Sequence, residues 1–135
     1  MGYSAFFVII LFIFSCSPQK DNIDHFISSI EYSNEGAKIL NQGGAFETLD
    51  NESMNKIIGF NKQALKEAKL VNVEYLNERL AGFGNHFNNE FIIGLDMFIS
   101  GYETADHAKF LQGQFLLDNW GTWYANNISK IKAGK

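Results

Sequence analysis

With 135 residues, 46% of them hydrophobic and 15% aromatic, the chain has enough apolar mass for one domain with a real core and too much for disorder. Its net charge of −4 and the absence of a concentrated Lys/Arg patch argue against nucleic acid as a partner, because phosphate neutralisation needs clustered positive charge. Lys56, Lys62, Lys66 and Lys69 are the nearest approach to such a patch, and beside Glu67 they read as one solvated helix face.

The first fifteen residues carry no charged side chain, and residues 5–14 form an unbroken apolar run. A run of about ten residues is too short to cross a bilayer of ~30 Å but suits the apolar segment of a signal peptide. It ends at Ile13-Phe14-Ser15-Cys16, which resembles the lipobox of bacterial lipoproteins: an aliphatic residue three before a cysteine, and a small one just before it. That resemblance implies removal of residues 1–15, diacylglycerol on the Cys16 sulfur, and attachment to a membrane of the bacterial cell envelope. Residues 16–21 then become a short tether, and residues 22–135 the folded domain. Ser17 lacks the Asp that holds some lipoproteins at the inner membrane, so the resemblance leans towards the outer one. Two features depart from the pattern: residues 1–4 have no Lys or Arg, and Phe14 is bulky for its slot. The residues also admit an ordinary secretory signal, or an uncleaved anchor with a structural cysteine. Cys16 is the chain's only cysteine, so no internal disulfide competes for it. Myristoylation at Gly2 is excluded because position 6 is Phe6, where Ser or Thr is required.

A first helix is expected over 22–41, with Ile23, Phe26, Ile27, Ile30, Ala37 and Leu40 on one face and Asp21 or Asn22 as its cap. Gly43-Gly44 should end it. A second helix is expected to run unbroken over 51–81, with a break near Val71-Asn72-Val73 as the alternative, since β-branched residues weaken helix locally. Residues 82–85 form a turn with Phe83 as its buried plug. The third helix spans 85–102, and the fourth starts at a Thr104 cap and runs to the C-terminus. Their inner stripe is Phe87, Phe91, Gly94, Phe98, then Phe110, Gly113, Leu117, Trp120, Tyr124, Ile128 and Ile131. A second row, Ile92, Leu95, Ile99, Leu111, Phe115, Leu116 and Trp123, makes both helices apolar on more than one side. Short loops between long helices predict an all-α, antiparallel, up-down-up-down four-helix bundle.

The chemistry-bearing residues are sparse. His86 and Glu90 stand four apart, as do Glu103 and His107, and either pair would share a helical face suited to a metal. Neither matches the Glu-x-x-His pattern of di-iron bundles, and an antiparallel hairpin separates His86 from His107. His25, His86, His107, Met54 and Met97 offer ligands for a non-covalent haem, but no covalent attachment motif exists. No Gly-x-Ser-x-Gly elbow or Cys/His pairing supports nucleophilic catalysis. Trp120, Trp123 and Tyr124 combine apolar bodies with polar tips, as binding surfaces do. Gly113 and Gly121, eight apart, would admit a close helix or leave a groove.

The leading expectation is therefore a non-enzymatic, lipid-anchored adaptor for another envelope protein. A carrier of a small apolar ligand, in a cavity lined by Phe87, Phe91, Phe98, Phe115 and Trp120, is the alternative. A metal-dependent enzyme using the His/Glu pairs is the weakest reading.

Overall fold

The computed structural model describes residues 20–133, which form five helices and their turns. The expected signal segment 1–15 and Cys16 lie outside these residues.

Helix α1 (Asn22–Gly43) begins with a reciprocal cap: Asp24 N–H donates to Asp21 Oδ1 at 2.9 Å, and Asp21 N–H donates back to the Asp24 carboxylate. It ends at Gly44, whose φ of +93° few side-chain-bearing residues tolerate. A single 3-10 turn (Phe46–Thr48) leads into α2 (Asn51–Ala68), capped by Asp50, which accepts from Ser53 N–H at 2.7 Å.

The expected unbroken helix over 51–81 is two helices. α2 stops at Ala68, and α3 (Val73–Arg79) restarts after a short turn. Asn72 supplies the reason: its side chain caps α3 by accepting from Glu74 N–H at 3.0 Å, while its own N–H donates to Asn22 Oδ1 at 2.9 Å. The bend buries Val71 and leaves Leu70 exposed, so a hydrophobic side chain is gained where helical hydrogen bonds are lost.

Gly82, with φ +82°, opens α4, which is built from three consecutive stretches: Phe83–His86, a π turn (Phe87–Ile92) and Ile93–Glu103. In the π turn the Ile93 N–H reaches Asn88 O, five residues back. α5 (His107–Ala133) is capped by Asp106 and not by Thr104: Lys109 N–H donates to Asp106 Oδ1 at 3.0 Å, while the Thr104 hydroxyl turns back to Ser100 O at 2.7 Å.

α1 and α2 pack as one hairpin and α4 and α5 as another, and the hairpins meet chiefly through α2 and α4. The α4–α5 contact is a near-touching of backbones. A Cβ on Gly113 would stand 2.8 Å from both Gly94 O and Phe98 Cα, and one on Gly101 would stand 2.7 Å from Phe110 Cα. One part of the core collects Phe26, Leu76, Phe83, Phe87, Phe91, Leu95 and Trp120; the other collects Met54, Ile57, Ile58, Phe98 and Ile99. Rings meet edge to face, as with Phe26 on Phe83 at 5.2 Å and 88°. Each fully buried Phe contributes about 1.5–3 kcal/mol relative to exposure.

Candidate functional site: a groove between the first and last helices

α1 and α5 touch at one end, where Phe26 meets Tyr124 at 5.9 Å between ring centroids. Beyond that contact they part, and a groove of about 390 Å³ opens between them, within the range of small-molecule sites. Ile30, Ala37 and Leu40 line it from α1, and Leu117, Gly121 and Tyr124 from α5. Its floor is the core itself: Phe91 and Phe98 from α4, and Trp120 from α5. Gly121 meets no atom within 4 Å where a Cβ would be, so its missing side chain leaves part of this space open.

The polar groups are few. Asn61 of α2 is only 6% exposed and lines the groove. Ser33, Asn34, Gln114 and Asp118 stand along the lips. Burial pushes the Tyr124 phenol above its ordinary value, so it remains an uncharged hydroxyl.

The aromatic residues expected to form a binding cavity divide three ways. Phe91, Phe98 and Trp120 do line the groove. Phe87 is wholly buried in the core, packed between Phe26, Phe91 and Trp120. Phe115 is 63% exposed on the outer face of α5, beside the exposed Leu111, so the cavity assignment fails for it. The close crossing at Gly113 sets the rotation of α5, and that rotation turns Leu111 and Phe115 outward. Trp123 and Tyr124 are half-buried; Trp123 stacks on His86 at 4.5 Å and 19°. Trp120 stacks on Tyr124 at 5.3 Å and 20°.

The four residues considered for a metal are not brought together. His86 Nδ1 sits 3.0 Å from Glu90 Oε1, one turn along α4. Glu103 pairs with Lys62 of α2, and His107 is exposed at the start of α5. Among the described residues no three His, Cys, Asp or Glu side chains gather as a metal site requires. The second oxygen of Glu90 is buried without a hydrogen-bond partner among them. Of the side chains considered for haem, Met54 and His107 share the lining of a second hollow, about 420 Å³, with Phe46, Tyr102 and Phe110.

Two features escaped the sequence reading. Asn61 interrupts the buried row Ile57, Asn61, Ala64, Ala68 at helical spacing, and a polar residue inside an apolar stripe was the signal available. The His25–Glu67 contact left no signal, because its partners are 42 residues apart. With its proton on Nδ1, His25 donates to Glu67 Oε2 at 2.7 Å, and Lys20 Nζ lies 3.4 Å from Oε1. The hydrogen bond from His25 and the Lys20 charge hold the Glu67 carboxyl below its ordinary range against the opposing effect of burial.

No family model matches the chain, nor does any curated protein or solved structure.

Proposed function

We propose that the chain is a lipid-anchored binding protein of the bacterial cell envelope, held at a membrane surface through Cys16 and carrying a small apolar ligand in the groove between α1 and α5. The anchor rests on the resemblance of residues 13–16 to a lipobox, which leans towards the outer membrane. Among the described residues no helix is long and apolar enough to cross a membrane. In this reading α1, α2, α4 and α5 are the four members of an up-down-up-down antiparallel bundle, and α3 is a short insertion between its halves.

The observation that carries the ligand is the depth of the groove. Buried core residues Phe91, Phe98 and Trp120 lie at its floor, beneath the more exposed lining from α1 and α5. A cavity of apolar floor and sparse polar lips is the usual form of a small-molecule site, and this moves the weight from adaptor to carrier.

Native mass spectrometry of the chain released from membranes, compared with its denatured mass, tests the carrier. The expected result is a defined added mass that denaturation removes and that Gly121→Leu, which fills the groove, diminishes. A bare monomer under the gentlest conditions turns the reading back to the adaptor. A specific observation favours that second reading: Leu111 and Phe115 lie exposed one turn apart on α5. Its test is crosslinking in intact envelopes, with a partner captured by the native chain and lost with Phe115→Ser. The anchor is tested separately, by incorporation of labelled palmitate into the native chain but not into Cys16→Ser.

A further inference from the structure

Asn61 selects what the groove can hold. A carboxamide in the wall of an apolar groove is a hydrogen-bonding group that a ligand displacing the groove's water must match. Asn61 is 6% exposed and lines the groove. Gly36 of α1 lies beside it: a Cβ there would stand 3.5 Å from Asn61 Oδ1, in ordinary contact. The charge around it is equally selective. Among the described residues no Lys, Arg or His lines the groove, and the one ionised side chain there is the Asp118 carboxylate at the lip. An anionic head group brought to Asn61 would lose water without gaining a cation and would face Asp118 besides. The remaining surface is aliphatic and aromatic, along about 15 Å of α1 from Ile30 to Leu40.

From this arrangement we infer that the ligand is an uncharged apolar molecule bearing one hydroxyl, carbonyl or carboxamide group, which pairs with Asn61 while its hydrocarbon lies against Phe91, Phe98 and Trp120. The inference rests on the carrier reading and adds the chemical class of the cargo. Free fatty acids, as carboxylates, are excluded by it. Neutral amphiphiles are admitted.

The test uses the full chain in phospholipid nanodiscs, isotopically labelled, with the Asn61 side-chain amide and the Trp120 indole N–H followed by NMR. Octanamide, 1-octanol and octanoate are titrated at pH 7.5. Octanamide and 1-octanol are expected to shift both signals, with octanoate at least about tenfold weaker, roughly the worth of one matched buried hydrogen bond plus the absent cation. Asn61→Leu, close in size, is expected to bind octanamide and 1-octanol severalfold more weakly than the native chain, since it removes the matched hydrogen bond and leaves the Asp118 carboxylate in place. Gly121→Leu is expected to abolish binding of all three. If octanoate binds as well as octanamide, or if Asn61→Leu binds octanamide and 1-octanol as tightly as the native chain does, the cargo class is wrong and the carrier reading stands. If none of the three probes moves either signal in the native chain, both fail together.

Discussion

Gly113 is the residue on which the α4–α5 hairpin turns. It allows the helix backbones to touch, with Gly94 O and Phe98 Cα occupying the space its side chain would need. Gly113→Ala should force the helices apart and destabilise the domain by about 1–3 kcal/mol, the usual range for an overpacked interface. Gly59 is the control, since nothing stands within 4 Å of its missing Cβ on the exposed side of α2. Gly59→Ala should stabilise by about 0.5–1 kcal/mol through helix propensity alone. Urea unfolding of the two variants beside the native chain measures both, and equal effects would refute the packing assignment. Spacing in the sequence indicated that Gly113 and Gly121 share a face. It held nothing to say that one meets a helix and the other opens a groove, because that depends on which helix lies opposite.

At the scale of elements, helix ends and docking are fixed by a few side chains reaching across turns. Asn77 of α3 accepts from Gly84 N–H at 2.8 Å and from Asn85 N–H at 3.3 Å, so one short helix caps the next. Asn77→Ala should lower stability by about 0.5–2 kcal/mol and expose the amides of Gly84 and Asn85 to faster hydrogen exchange. The other end of the α1–α2 hairpin is pinned by Glu67. Its carboxyl is more acidic in the folded chain than in the unfolded one, so its stabilising effect is full above the ordinary value of 4.5 and is lost as pH falls through the lower folded-state value. The stability gap between the native chain and Glu67→Gln should therefore be present at pH 7 and shrink towards zero under strong acid. A gap independent of pH would show that the carboxylate charge is not what holds the hairpin. Helix type was legible throughout, since steps of three and four residues mark it. Boundaries were less so. The break before α3 depends on Asn72 reaching Asn22, and the choice of Asp106 over Thr104 depends on a turn in which Ala105 takes a φ of +55°.

For the whole molecule, the aromatic richness of the sequence identified the material of the core but not its partition. Phe83, Phe87 and Phe91 are enclosed, whereas Phe115, on the same periodic grounds, faces outward. Periodicity assigns residues to faces of one helix, and only the assembly of several helices decides which faces are covered. The groove was legible to the same extent: its floor residues were named from sequence, while its position between α1 and α5 and its amide were not.

The π turn at Phe87–Ile92 has a consequence for that assembly. By admitting one more residue than an ordinary turn, it shifts the phase of α4, so the segment before it and the segment after it present different registers to their neighbours. The first places Gly84 and Phe83 against α3 and Trp120; the second places Gly94 and Gly101 against α5. Asn88 and Asn89 are exposed within the turn, so removing one leaves no core position empty. Deletion of Asn89 should restore a regular helix and rotate everything upstream by about 100°. α4 would then keep its Gly94 and Gly101 contacts with α5 and release α3 and Trp120, and hydrogen exchange would show protection lost over residues 73–79 and 120–124 with residues 107–117 unchanged. The extra residue thus behaves as a clutch between two halves of one helix, letting each mesh with α5 in its own register.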